Sequence, residues 1–269
     1  MRCPSDFLDA AVEAALLGGR IVRRAGRRAH AVSFKGATDL VTATDRASER
    51  AIMGYLGKRF PSHGFLGEEG GRREGAEYRW IVDPLDGTMN FAHGMPYYDV
   101  SVALERGGEV LAGAIYDPVL DEMFAAARGR GARRNGKRIR VSSRVPLSQT
   151  LLATGFSSAL LDSSKSASAP RREVREQFRR FNEFCLRARG VRRPGAAALD
   201  LAYVACGIFD GFWEGSLKAW DVAAGWVLVE EAGGVVTDFR GKRVDLFNGE
   251  FVCSNGRVHE QMLRVIRPA

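Results

Sequence analysis

The stretch Trp80-Ile81-Val82-Asp83-Pro84-Leu85-Asp86-Gly87-Thr88-Met89-Asn90-Phe91 narrows most sharply what this chain can build, because an apolar run leads directly into two carboxylates, a proline, a glycine and a hydroxyl. Trp80, Ile81 and Val82 read as the end of a buried strand. Pro84 fixes its own φ and donates no backbone hydrogen bond, so the chain has to leave the sheet where Asp83 stands. Asp83 and Asp86 then flank a tight turn. Carboxylates held that close repel one another unless a cation lies between them, and hard oxygen donors suit Mg²⁺. Gly87 lets the backbone approach a ligand, and a helix beginning at this point directs free N–H groups toward an anion. A metal and a phosphate are therefore expected to meet in one turn.

The rest of the composition sets the frame. With 269 residues, 45% hydrophobic and 27% charged, the chain can bury a sizeable core. It is expected to form a single unit over 1–269, with an N-terminal α+β part over about 1–145 and a C-terminal α/β part over about 146–269. Cys3, Cys185, Cys206 and Cys253 lie far apart and form no C-x-x-C pair, which fits buried thiols in a reducing compartment. No signal-peptide pattern opens the chain and nowhere do about 18 apolar residues run together, so a soluble, cytoplasmic protein without a membrane partner is expected. The net charge of +8 comes largely from arginine pairs scattered from Arg23-Arg24 to Arg192-Arg193. Such charge either steers anionic substrates or is plain solvated surface, and nucleic-acid binding is expected to be at most weak and nonspecific.

Taken in order, Ser5 is placed to cap a helix with Phe7, Leu8, Ala11, Val12, Ala15 and Leu16 at helical spacing, ending near Gly26. The segment from His30 to Thr42 reads as a loop and a short strand, with Lys35 and Gly36 in a turn that could act as a lid. Asp45 stands in the first turn of a second helix, where a carboxylate already suits the dipole. Phe65-Leu66-Gly67 delivers Glu68 and Glu69 to a strand end; successive side chains point oppositely, so both cannot face one metal. Val100–Leu104 and Val110–Tyr116 read as a hairpin, and Asn135-Gly136 marks a second one. The superficial nucleotide-loop pattern Gly131 to Lys137 is rejected, because Arg138 stands where Ser or Thr belongs and a strand follows. Leu151–Thr154 reads as a strand, Ser157–Pro170 as a surface loop, and Arg171–Arg189 as a basic helix with Val174, Phe178, Phe181 and Leu186 inward and Gly190 at its end. Small residues at Gly195 to Ala198 open another helix, a strand spans Phe209–Glu214, Asp221 starts a further helix, and the last runs from Arg257 to Ile266.

Covalent phosphoenzyme chemistry is disfavoured: no cysteine has an arginine six positions on, and Asp83 and Asp86 do not form D-x-D. His30, His63, His93 and His259 show no clustered spacing and are expected to be structural.

Asp83-Pro-Leu-Asp86-Gly-Thr88 and Trp220-Asp221-Val-Ala-Ala-Gly225, with Gly67-Glu68-Glu69 and Asp39-Leu-Val-Thr-Ala-Thr-Asp45 in the same order, resemble the signatures of the inositol monophosphatase family of Mg²⁺-dependent, lithium-sensitive phosphatases, a branch of the sugar phosphatases. The resemblance covers nearly the whole chain and is to the bacterial-type inositol-1-monophosphatases. It implies a five-layered α-β-α-β-α sandwich and a homodimer. It implies two Mg²⁺ ions, or three, with Glu68, Asp83 and the Leu85 carbonyl on one and Asp83, Asp86 and Asp221 on another. By the same resemblance Asp45 and Thr88 orient the attacking water, Glu68 belongs to the catalytic set, and Glu69 is a supporting or surface group. Asp86, Gly87, Thr88, Ala197, Glu214 and Asp221 hold the substrate, inositol 1-phosphate or a similar polyol phosphate. Other esters stay open, among them fructose 1,6-bisphosphate, histidinol phosphate and 3′-phosphonucleotides, as does an RNA-associated accessory protein with vestigial activity. The loop Ser157-Ser-Ala-Leu160 departs from the family pattern.

Overall fold

A computed structural model describes residues 4–26, 32–35, 39–75, 77–156 and 169–267. The turn expected around Gly36, and with it the lid, and most of the loop Ser157–Pro170 lie outside the described residues, as do Cys3 and His30. Helix α1 (Pro4–Ala25) is opened by Pro4, one residue before the expected Ser5 cap; proline at a helix start gives up an N–H that has no partner there anyway. Strands β1 (Val32–Lys35) and β2 (Asp39–Thr42) pair antiparallel, two strands where one was expected, and lead into α2 (Ala43–Arg59). Then follow β3 (Gly64–Gly67), β4 (Arg72–Arg73), β5 (Tyr78–Asp86), the short helix α3 (Thr88–Ala92), β6 (Asp99–Arg106), β7 (Glu109–Asp117), β8 (Glu122–Ala127), β9 (Gly131–Arg134) and β10 (Lys137–Arg138). From β3 onward these strands form one eight-stranded sheet in the order β10-β9-β8-β7-β6-β5-β3-β4.

Turn chemistry sets much of that meander. Gly107 and Gly108 both have positive φ (60° and 81°), as do Asn135 and Gly136 (49° and 76°), the backbone of a two-residue turn whose twist matches the flanking strands. Asn135-Gly136 therefore joins β9 to β10 as a hairpin, as its sequence indicates.

The remaining chain supplies a 3₁₀ turn (Leu147–Gln149), β11 (Leu151–Thr154), α4 (Ala169–Arg187), β12 (Gly190–Arg192), α5 (Ala197–Ala205), β13 (Gly211–Glu214), α6 (Ala219–Glu231), β14 (Val235–Thr237), β15 (Phe251–Ser254) and α7 (His259–Ile266). Its five strands form a second sheet in the order β12-β11-β13-β15-β14. Gly190 thus opens an edge strand and does not cap α4, because its backbone pairs with Leu151.

Three apolar clusters stack these elements into five layers. Along β5 and β6 side chains alternate between faces. Trp80, Val82, Val100, Val102 and Leu104 meet Ala11, Ala14, Ile52 and Leu56 of α1 and α2. Ile81 and Ala103 point the other way, toward Leu199, Ala202, Ala223 and Val227 of α5 and α6, which also pack on Phe212, Phe251 and Cys253 of the small sheet. The far face of that sheet, with Leu152, Trp213 and Val252, is covered by Phe184 of α4 and by Met262, Leu263 and Ile266 of α7. The order is α1/α2, large sheet, α5/α6, small sheet, α4/α7, the five-layered mixed α/β sandwich expected from the family resemblance.

Two expectations are corrected. On α4 the inward positions are Phe181 and Phe184, whereas Phe178 and Leu186 are 55% and 71% exposed. Only the C-terminal half of α4 overlies the sheet, where Phe184 stacks on Trp213 at 3.9 Å between ring centroids, and Phe178 is left beside Phe156 at the margin. Cys185 is exposed on the same helix, so not every thiol is buried. We predict that Phe184→Ala costs about 3–5 kcal/mol in urea unfolding. Leu186→Ala should cost less than about 0.5 kcal/mol. Similar losses for both would contradict this placement of the helix.

Candidate active site

Strands β3 and β5 run parallel, with Gly67 opposite Val82, so Glu68 and Asp83 emerge side by side at their C-terminal ends. This end of a parallel pair is where chains commonly place ligand-binding residues, because the strands stop and the loops diverge. The Glu68 N–H donates to the Val82 carbonyl at 3.3 Å, which extends the pairing by one residue. Asp83 is buried, and the strand pairing becomes irregular between Asp83 and Asp86, where Pro84 interrupts it.

Gly87 then bends the chain with φ at 86°, and a Cβ there would stand 2.9 Å from the Tyr97 carbonyl oxygen. Only glycine suits the position, and α3 starts directly after it. The Thr88 hydroxyl oxygen lies 3.0 Å from the Leu85 carbonyl oxygen and 3.3 Å from Asp45 Oδ1. Asp45, 1% exposed, reaches this point from the first turn of α2.

The second half of the chain closes the site through two helix starts. Asp86 Oδ2 accepts the Ala198 N–H at 2.7 Å, so this carboxylate satisfies a free amide in the first turn of α5. Asp221, in the first turn of α6, accepts the Lys218 N–H through Oδ2 at 2.7 Å. The Trp220 carbonyl accepts the Ser101 hydroxyl at 3.3 Å, which ties that turn to β6 beside β5. Asp86, Asp221 and Glu214 line one cavity of about 170 Å³ together with Ala197, Asp200 and Arg193.

The electrostatics are those of crowded acids. Burial pushes the Asp83 carboxyl well above its ordinary range, and the neighbouring Glu68, Asp86 and Asp221 push it further. Asp86 is raised by burial and then by Asp99 and Asp221, against the lowering hydrogen bond from Ala198. Glu214 is raised by burial, Asp221 and Asp200, with Arg193 opposing. Asp221 rises to about 6, mainly through burial, while its contacts with Lys218 hold it down. Three of these carboxylates each accept one backbone amide, Asp83 Oδ1 from Leu85 at 3.0 Å, Asp86 from Ala198 and Asp221 from Lys218. Among the described residues no three His, Cys, Asp or Glu side chains already close on one point as a finished metal cage.

Residues 4–269 match the profile of the inositol monophosphatase family. The chain belongs to that family. The Nus factor SuhB of Pseudomonas aeruginosa is 42% identical over 97% of this chain and 96% of its own length. An inositol-1-monophosphatase of Mesorhizobium japonicum is also 42% identical, over 98% of this chain and 97% of its own. The crystal structure of extragenic suppressor protein suhB from Bartonella henselae superposes with a TM-score of 0.88 at 40% identity, covering 97% of this chain and 98% of that one. The chain is thus an inositol monophosphatase-family phosphatase.

Within this family member, Asp45 and Thr88 meet, Asp83 lies within the charge of Glu68, Asp86 and Asp221, and Glu214, Ala197, Asp86 and Asp221 share the cavity. His63 is packed among Phe7, Phe60, Tyr78 and Trp80, and His93 is exposed at the end of α3, so neither joins the site. Three residues escape a reading of local motifs. Glu49 of α2 accepts the Glu69 and Gly71 amides at 2.8 and 3.0 Å and so holds the loop that presents Glu68; any side chain at Gly67 would collide with it. Asp99, fully buried, pairs opposite Asp86 across β5 and β6. Asp200, also fully buried, accepts the Tyr97 hydroxyl at 2.6 Å. An acid beginning the apolar strand Asp99–Arg106, and another one turn into an alanine-rich helix, were the available signals.

The raised Asp221 pKa has a definite sign. Its folded value of about 6 exceeds the unfolded value of about 3.9, so its contribution to stability is complete below the lower value and lost as pH rises through the higher. In metal-free buffer Asp221→Asn should therefore be more stable than the parent at about pH 8, on the order of 2 kcal/mol. The gap should close as pH falls through about 6. A gap independent of pH would contradict the raised Asp221 carboxyl.

Proposed function

We propose that this phosphatase is a Mg²⁺-dependent phosphomonoesterase of inositol 1-phosphate or a similar small polyol phosphate. The observation that carries the proposal is the convergence of Asp83 with the charges of Glu68, Asp86 and Asp221 beside the Thr88–Asp45 pair. The donor set fits a hard divalent cation: all are oxygens, and they repel one another. Glu68, Asp83 and the Leu85 carbonyl would hold one ion, and Asp83, Asp86 and Asp221 another, with a third sharing Glu68. Bound Mg²⁺ supplies Lewis-acid neutralisation of phosphoryl oxygens and makes a nearby water more acidic.

The protein groups do the positioning. The Thr88 hydroxyl has one proton and two acceptors within reach; donating to Asp45 leaves its lone pairs to accept from a water, which aims that water's oxygen outward. Gly87 and Thr88 bring main-chain amides to the phosphoryl group at the start of α3. Asp86, Glu214 and the Ala197 backbone, around the shared cavity, are placed to hold substrate hydroxyls. The proposal extends to inhibition by lithium, a homodimer and a cytoplasmic setting. Among the described residues no helix is long and apolar enough to cross a membrane.

The arginines of α4 give little support to a nucleic-acid accessory role. Arg179 donates to Glu176 and to the Val265 and Ile266 carbonyls, Arg180 donates to Ile266, and Arg187 pairs with Glu183. These guanidiniums complete the end of α7 and the helix surface. Arg172 and Arg175 are left exposed on α4.

Asp86→Asn keeps the size of the side chain and removes a charge, so Mg²⁺-dependent phosphate release from inositol 1-phosphate should fall about a hundredfold or more. Turnover near the parent's in a folded Asp86→Asn protein would rule out the assigned site.

A further inference from the structure

We propose that Arg193 gives the catalytic cavity a second anion-binding point, and that the preferred substrates are phosphate esters carrying a further anionic group. This rests on the phosphatase reading above and sharpens it. Asp86, Asp200, Glu214 and Asp221 supply the charged lining of the cavity, and Arg193 is the one cation among its lining residues. By the reading above, the Gly87–Thr88 turn serves the scissile phosphoryl group and acceptors such as Glu214 serve hydroxyls. A polyol monophosphate offers a guanidinium only neutral hydroxyl acceptors there, whereas a second anionic group would take charge-assisted bonds from it.

The root of Arg193 is fixed to the catalytic turn. It follows β12 and precedes Pro194, whose carbonyl accepts Asn90 Nδ2 at 2.9 Å; the same amide nitrogen donates to the Tyr97 carbonyl at 2.8 Å. Asn90 lies in α3, two residues after Thr88, so one side chain locks the Arg193 corner to the phosphate turn. Gly195, with φ at 95°, then turns the chain into α5, and Arg193 Nη1 lies 3.6 Å from where a Gly195 Cβ would stand. Among the described residues the Arg193 guanidinium makes no hydrogen bond and no ion pair. Arg179, Arg180 and Arg267, by contrast, spend theirs on main-chain carbonyls. Its charge does reach the cavity interior, since it lowers the carboxyls of both Asp200 and Glu214. A planar fork of donors lining a cavity matches a carboxylate or phosphate in two-point contact.

A competing role is that Arg193 only balances Asp200 and Glu214, and the two roles differ in what they do to different substrates. Counter-charge to Glu214 would affect all hydroxylated esters alike; recognition of a second anion would not. The test compares kcat/KM of the parent and Arg193→Gln for inositol 1-phosphate and for fructose 1,6-bisphosphate in saturating Mg²⁺. The expected loss is at least about tenfold greater for the bisphosphate and lies mainly in KM. Equal losses on both esters, or none on the bisphosphate, would overturn the proposal. Thermal midpoints with each ester in metal-free buffer provide a readout without turnover. The bisphosphate should raise the parent's midpoint more than that of Arg193→Gln, while an equal shift in both proteins would also overturn it. A chain that hydrolyses neither ester would defeat the phosphatase reading, and the thermal shifts would still decide the role of Arg193.

Discussion

Mutual repulsion among crowded carboxylates at the ends of β3 and β5 is the constraint that the rest of the molecule has to contain. Asp83 is surrounded by protein and by the charges of Glu68, Asp86 and Asp221, and Asp86 faces Asp99 across the next strand. An isolated ion in such a place would simply take up a proton. A set of them persists only if the scaffold is stiff and if a cation or shared protons relieve the charge. The stiffness comes from Trp80, Ile81 and Val82, which enter the cores on both faces of the large sheet immediately before the acids begin.

The middle helix layer converts that stiffness into geometry. Helices α5 and α6 lie between the two sheets, and their first turns present Asp200 and Asp221 to the ends of β5 and β6. Asp86 reaches across to the α5 start, so the two halves of the chain share a hydrogen bond inside the site. A helix start tolerates an acid better than most places do, because its free amides carry partial positive charge. Glu214 and Arg193 line the same cavity as Asp86 and Asp221, which is where we propose that substrates are told apart.

Much of this was legible locally. Pro84 and Gly87 announce where the strand must end and turn, and Asn135-Gly136 announces a hairpin, because each depends on one or two residues' own backbone preferences. The five layers, and the roles proposed for Asp45, Glu68 and Asp221, came from family resemblance; by local rules alone Asp45 and Asp221 are good first-turn residues and nothing more. What stayed hidden depends on register and distance. Glu49 acts on a loop 20 residues away, and Asp99 matters because β6 sets it opposite Asp86. The misjudged face of α4 has the same origin: periodicity identifies a stripe, but only tertiary placement decides which half of it meets the sheet, leaving Phe184 buried and Phe178 exposed.

The central claim is that the acid cluster is a divalent-cation centre, and Mn²⁺ can report on it directly. Anomalous diffraction from crystals soaked in millimolar Mn²⁺ should show peaks between Asp83 and Glu68 and between Asp83, Asp86 and Asp221. A well-ordered site with no anomalous peak within reach of Asp83 would contradict the account.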